Sequence, residues 1–510
     1  MTRDKNKITK ILTWVPDIRI VAIFSAAILV LLLIPLFRIV PYAVPWNDDY
    51  NYGSFVQVAL SQEHSFASAL QGAYSCARIQ WYAWQGTFSS IFFMALVPLV
   101  WGEEYYFLGP LFLILLLLIS VMVLVRGLAR DVLGADRASC LILQSVVAAV
   151  VIVLLHSSQT GLFWYNSGIH YVGMHSFLML TTAAWIRLFT GRDKTLSVFL
   201  VLWTMVGAVL SGGANFVTTL QGLLVVLFFA VLGILLRNKR TLLLVPSLAV
   251  YCFAFYKNVS APGNHVRGDI LSGSGLGMDA FPAIGNSFVE AFRYIGEFTG
   301  LITLAVMIVL IPVIWQMVGK LTFQFRRPGL ILLGTFCLYA TGFTPSLYSL
   351  GHAGLGRTLN AVKITYQILL FLNEVYWLGW MRQKLEQKKH MLGLKQGAPA
   401  LFYPAMGLLM LGIFAIEPNQ AGTYSSYGAY YYVHTGEANE FHKEYLGRLE
   451  TIANSGAEVV VRPYHFRPWL ICAGDLSENK DAEENRAMAS WYDKGSIICI
   501  EEEALQNDSK

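Results

Sequence analysis

Residues 88–101 read FSSIFFMALVPLVW, an apolar run of about 14 residues between Gln85-Gly86-Thr87 and Gly102-Glu103-Glu104. A transmembrane helix needs about 20 mostly apolar residues, because the hydrocarbon core is about 30 Å thick and each residue adds about 1.5 Å. The run is therefore expected to lie at the interface or re-enter rather than cross. The reading carries weight beyond its own length. If 88–101 crossed, every later loop would change sides.

The flanks are less ambiguous. Upstream, 20–41 (IVAIFSAAILVLLLIPLFRIVP) is a full-length span, and 105–125 (YYFLGPLFLILLLLISVMVLV) is the next. Others follow near 139–156, 170–188, 195–212, 216–236, 241–257, 298–318, 328–349, 361–381 and 400–416, about eleven in all. The first is expected to remain as a span: its apolar core is too long for a signal peptide and no small-residue cleavage site follows it.

Basic residues arbitrate the direction, because cytoplasmic loops carry the excess of lysine and arginine. Arg3, Lys5, Lys7 and Lys10 place the N-terminus inside. With 88–101 not crossing, four more clusters fall on the same side: Arg126/Arg130/Arg137, Arg187/Arg192/Lys194, Arg237/Lys239/Arg240 and Lys320/Arg326/Arg327. The group Arg382/Lys384/Lys388/Lys389/Lys395 joins them. With 88–101 crossing, they would all move out while the N-terminus stayed in. The non-crossing reading wins, and it places the C-terminus outside the cell.

Composition agrees with this reading. Of 510 residues, 55% are hydrophobic and 14% charged, with a mean hydropathy of +0.53. Soluble domains carry roughly 25% charge. Six cysteines are too few for a disulfide scaffold. The net charge of +5, from 37 Lys+Arg against 32 Asp+Glu, does not indicate nucleic acid. The expected fold is an all-α polytopic membrane protein over 1–416, with the lipid bilayer as its main partner. A small α/β extracytoplasmic appendage is expected over 417–510, with helices at 437–454 and 481–492, strands at 457–463 and 496–500, and Cys472 and Cys499 free or paired.

The outward segments are then 42–104, 157–169, 211–216, 258–297, 350–360 and 417–510. They hold the unusual residues. Asp48-Asp49 follow the first span as adjacent carboxylates, able to serve as a general base, as oxygen ligands for Mg²⁺ or Mn²⁺, or as a helix cap. Trp81-Tyr82-Ala83-Trp84-Gln85-Gly86 suits both interfacial anchoring and sugar stacking. Phe163-Trp164-Tyr165-Asn166-Ser167-Gly168-Ile169-His170-Tyr171 offers polar and aromatic groups, but the His170/His175 spacing does not match the usual zinc pair. Gly212-Gly213-Ala214-Asn215 breaks the membrane pattern. In Pro262-Gly263-Asn264-His265-Val266-Arg267, a lone outward arginine suits phosphate or a surface pair with Asp269. A second arginine stands in Gly356-Arg357, with Lys363 about one helical turn into the next span. Together Arg267, Arg357 and Lys363 would form an anionic-headgroup site. Glu374 is a carboxylate within a span, a costly placement that suits either a functional group or pairing with a cationic helix end.

This order of an acidic DDY motif (Asp48-Asp49-Tyr50), Trp84-Gln85-Gly86, Trp164-Tyr165-Asn166-Ser167-Gly168 with His170-Tyr171, Gly212-Gly213-Ala214-Asn215, Ala261-Pro262-Gly263-Asn264 with Arg267, and Gly356-Arg357 resembles the GT-C superfamily of membrane glycosyltransferases. The likeness covers about 20–380. It implies a polyprenyl-phosphate-linked sugar as donor and an extracytoplasmic glycan, lipid or protein as acceptor. Asp48 or Asp49 would be the catalytic base or metal ligand. Tyr50, Trp84, Trp164, Asn166, His170, Asn215, Asn264, His265, Arg267, Arg357 and Lys363 would bind substrate. The sequence departs from the pattern at one place: relatives often read W-x-G-R, whereas Thr87 follows Gly86 here and Arg78 is the nearest substitute. A multi-pass transporter or flippase for a lipid-linked or small anionic substrate is the competing class, and a non-catalytic assembly protein a third.

Overall fold

A computed structural model describes residues 15–191, 197–272, 277–388, 399, 401–416 and 422–500. The basic residues Arg3, Lys5, Lys7, Lys10, Arg192, Lys194, Lys389 and Lys395 lie outside the described residues. The protein is about 78% helical, and it is a membrane-embedded all-α protein. Among the described residues, seven helical stretches are long and apolar enough to cross a bilayer.

The chain opens with α1 (Ile18–Ile39), whose first turn is capped by Asp17 accepting from the Arg19 N–H at 2.8 Å. An outer hairpin follows, α2 (Asp48–Gln62) and α3 (Phe66–Ala83), the latter opened by a reciprocal capping box between Ser65 and Ser68. The stretch 88–101 folds as α4 (Phe88–Ala95), only eight residues, and a short 3₁₀ turn. At about 1.5 Å per residue α4 is about 12 Å long, less than half a hydrocarbon core. Its start is fixed under the glycine turn of a later helix pair: Ser89 N–H donates to Gly213 at 3.0 Å. The Phe88 ring lies where a Gly213 side chain would be.

Next come α5 (Leu108–Arg126), α6 (Arg137–Val153), α7 (Met174–Thr190), α8 (Ser197–Gly212), α9 (Phe216–Leu235) and α10 (Val245–Val259). The segment 258–297, expected as an outer loop, is instead largely helical. It contains α11 (Pro262–Ser272) and the first half of α12 (Ala280–Val318). Ala283, Ser287, Ala291 and Phe298 form the buried stripe that makes this half a packed helix, and Gly300, at φ 60, breaks it from the second half.

After α13 (Pro328–Ala340) and α14 (Thr344–Leu350), the 32-residue α15 (Gly356–Gln387) is long enough to span. It is not among the seven apolar stretches because Asn360, Lys363, Gln367, Asn373 and Glu374 dilute it. The shorter apolar α16 (Phe402–Ile416) ends the helical body.

Residues 422–500 form α17 (Ser425–Thr435), α18 (Glu437–Asn454), β1 (Glu458–Val461), α19 (Glu483–Trp491) and β2 (Ser496–Cys499), with β1 and β2 paired in parallel, Val459 opposite Ile497. This segment packs on α1 and α2 and shares their core, through Phe441, Ile452, Leu470 and Ile497. Cys472 and Cys499 are both buried free thiols.

Candidate functional site

The two acidic residues of the first turn of α2 have different surroundings. Asn47 takes a positive φ of 34°, which turns the chain sharply into the helix. Asp49 then points inward and is fully buried. Its carboxylate accepts the Trp46 N–H at 3.0 Å, the Tyr106 hydroxyl at 2.8 Å and the Asn166 N–H at 2.9 Å. Asp49 thus ties α2 to the head of α5 and to the stretch between α6 and α7. Burial raises its pKa to about 7 against the pull of those three donors. Asp48 points the other way and keeps 23% of its side chain exposed, with Oδ2 4.0 Å from Nη1 of Arg357. Burial raises its pKa to about 6, the Arg357 charge opposes the rise, and Glu483 of α19 adds to it. Asp48 is the carboxylate with accessible lone pairs.

Facing it is the stretch 159–173, two π-helical turns (Gln159–Phe163 and Ile169–Gly173) around one short helical turn. Such bulges are frequent at functional sites because they re-aim side chains. Here they bring polar groups inward without partners among the described residues: Nε1 of Trp164, both amide atoms of Asn166, Oγ of Ser167 and Nδ1 of His170. Asn166 is completely buried. Buried polar groups left unpaired are costly, so a wall of them favours a ligand that supplies hydroxyls.

Two guanidinium groups flank the wall. Arg357, in the first turn of α15, lies over the Trp164 ring at 5.7 Å. Arg267 lies over the Trp84 ring at 5.4 Å and donates to Oε1 of Gln85. Both are within electrostatic reach of His170. The guanidinium beside Trp84-Gln85-Gly86 is therefore that of Arg267, while Arg78 is exposed on α3. Tyr52 also lies within electrostatic reach of both Asp48 and Arg267.

Asn215 and Asn264 position the site from behind. Asn215 caps α9 through the Thr218 N–H at 3.0 Å and donates to the His170 carbonyl at 2.7 Å. Asn264 accepts the Gly86 N–H at 2.9 Å and donates to the Asn258 carbonyl at 2.8 Å. His265 is exposed on α11.

Two other sequence candidates point elsewhere. Tyr50 is buried against Tyr445, Trp491 and Tyr492 of the C-terminal segment. Lys363 lies near Glu297 and over the Phe298 ring at 5.7 Å, away from the pair formed by Arg357 and Asp48. No known family model, curated protein or solved structure matches the chain.

A divalent cation on the acidic pair is poorly served by this donor set. The Asp49 oxygens already accept three hydrogen bonds, and Asp48 faces a guanidinium. Among the described residues no three His, Cys, Asp or Glu side chains gather as ligands. The arrangement offers one accessible carboxylate, two fixed cations and an uncharged polar wall. Sequence reasoning named Gln85 only within the Trp84-Gln85-Gly86 motif, and it missed Tyr106, Tyr52 and Glu483. Of these, only Tyr106 carried a signal, as a hydroxyl at the very head of an apolar run.

Proposed function

We propose that the chain is a membrane glycosyltransferase of GT-C type, moving a sugar from a polyprenyl-phosphate donor to an extracytoplasmic acceptor with inversion. It crosses the bilayer about eleven times, the N-terminus cytoplasmic and the C-terminal segment outside with the site. The observation that carries this reading is Asp48, partly exposed beside Arg357, whose guanidinium lies over the Trp164 ring at the start of the stretch that holds the unpartnered atoms of Trp164, Asn166 and His170.

In this reaction Asp48 takes the proton of an acceptor hydroxyl. The oxygen attacks the anomeric carbon as the bond from that carbon to the phosphate oxygen breaks, and the phosphate departs with the electron pair. Arg357 and Arg267 stabilise its charge. A phosphate leaves without protonation, so one carboxylate suffices where ordinary glycosidases need two. Asn166 and His170 orient the sugar hydroxyls, and the Trp84 and Trp164 rings hold the guanidinium groups in place.

The test is incubation of the purified protein in nanodiscs with a panel of polyprenyl-phosphate sugars, scoring release of lipid phosphate. Release by the native protein and its loss in a folded Asp48→Asn variant support the reading; undiminished release in that variant removes Asp48 from the mechanism.

One observation favours a transporter as a second reading. Gln367 and Glu374, on the spanning helix α15, have side-chain polar atoms that are buried and without partners, as residues along a substrate path often are. Uptake of a solute with no lipid-linked donor present would favour it.

A further inference from the structure

Three polar residues of α15 that sugar transfer does not use share one face. Asn360, Gln367 and Glu374 are seven apart, which returns to within about 20° of the same direction on a helix. Asn360 shows where that face points. It accepts the Ser157 N–H at 2.9 Å and donates to the Ser157 carbonyl at 2.8 Å, just beyond the end of α6. Gln367 and Glu374 therefore hang about 10 and about 21 Å below it, on the side of α15 that packs against α6.

Neither is used in packing as its chemistry would require. Gln367 is wholly buried, and among the described residues both of its amide atoms lack a partner. Both oxygens of Glu374 are buried and equally unpartnered. Ser145 of α6 and Thr303 of α12 are each 1% exposed with an unpartnered hydroxyl, and α12 packs on both α6 and α15. At the top of this face Lys363, Glu297 and His156 form a partly exposed polar mouth, with Nδ1 of His156 3.3 Å from Oε1 of Glu297.

Leucine would fill the Gln367 position without desolvating an amide. A fully buried amide with both ends open is suited instead to holding water, which needs two to four polar partners. The titratable and charged groups on the elements packed against α15 are Glu290, Arg293, Tyr294 and Glu297 on α12, Arg137 and Cys140 on α6, Cys337 and Tyr339 on α13, and His170 and Tyr171 of the 169–173 turn, with His156 just after α6 and His175 on α7 bonded to Thr365. None of them acts electrostatically on Glu374, so no ion pair explains its place.

We infer that a file of water runs from the Lys363–Glu297–His156 mouth past Gln367 to Glu374, and that the Glu374 carboxyl exchanges its proton along it. The carboxyl O–H bond breaks, the proton passes to the nearest water, and the file carries it to the mouth. Gln367 both donates to and accepts from that file. Nothing is oxidised or reduced. This site is separate from Asp48 and stands whether or not the chain transfers sugar.

The experiment is infrared difference spectroscopy on the full chain in nanodiscs, following the protonated carboxyl C=O band on transfer into D₂O. Glu374→Gln identifies the band by removing it. In the native protein the band should shift promptly, and in Gln367→Leu the shift should slow on the order of tenfold or more. Gln367→Leu removes unpaired polar atoms and so should fold. Gln367→Met is a second apolar variant, and unchanged amide exchange in the helices verifies either. Absence of a band that depends on Glu374 overturns the proposal. So does an exchange rate indifferent to both substitutions at position 367.

Discussion

The Tyr106 hydroxyl donates to Oδ2 of Asp49 across 2.8 Å, and its oxygen accepts the Tyr165 N–H at 3.1 Å. One fully buried phenol thus joins the first acidic motif to the start of the polar wall, and Asp49 is an anchor more than a reagent.

Tyr106→Phe should therefore destabilise the fold. It leaves the Tyr165 N–H unpaired and takes one donor from Asp49, and a buried group left unsatisfied costs about 1–3 kcal/mol. Asp49→Asn should cost at least as much, because its amide N–H₂ would face a donor that Asp49 now accepts. Thermal denaturation in nanodiscs measures both. A native-like melting temperature in both variants would reduce Asp49 to a spectator.

Gly86 has no room for a side chain: a Cβ there would sit 1.8 Å from the Asn258 carbonyl oxygen and 2.8 Å from Cβ of Ala261. Gly86→Ala must push the 84–86 turn off α10 and α11, breaking its bond to Asn264 and moving Trp84 from under Arg267. The expected result is donor binding weakened much more than by Arg78→Ala, measured by titration with a polyprenyl-phosphate sugar. Equal effects of the two substitutions would contradict the placement of Arg267 beside this turn.

The sequence reading reached the membrane class, the shortness of the 88–101 run and the helices and strands of the C-terminal segment, because hydropathy and periodicity are local signals. It could not separate Asp48 from Asp49. That difference depends on a phenol 57 residues away and a backbone N–H 117 residues away. Nor could it pair Arg267 with Gln85, 182 residues apart, or bring Glu483 of α19 near Asp48. Tyr50 and Lys363 carried the right chemistry for a site, but helix azimuth turns Tyr50 toward Trp491 and Lys363 toward Glu297. Azimuth is set by packing partners that no single stretch of sequence displays.

Stability and activity should respond to pH in opposite directions. Asp48 and Asp49 have folded pKa values of about 6 and about 7, above the ordinary 3.8. The folded state holds their protons more tightly, so their stabilising contribution is full below pH 3.8 and is lost as pH rises through 6 to 7. Donor consumption needs the ionised Asp48 and should rise through about pH 6. Melting temperature and initial rate, measured on one preparation across this window, test the pair of trends. A rate that falls as Asp48 ionises would exclude it as the base.

The two charges that act on Asp48 allow a sharper test. Arg357 favours its ionised form and Glu483 disfavours it. Arg357→Gln should move the rising limb of the pH–rate profile to higher pH, and it should also lower the plateau, since the leaving phosphate loses a cation. Glu483→Gln should move the limb to lower pH and leave the plateau nearly unchanged, because Glu483 is exposed on α19 and is not part of the polar wall. A purely structural role for either residue would lower the rate at all pH values without moving the limb. Opposite shifts would place the base within reach of both charges. Asp48 is a carboxylate on which both act. Limbs that move together, or not at all, would assign the ionisation to another group.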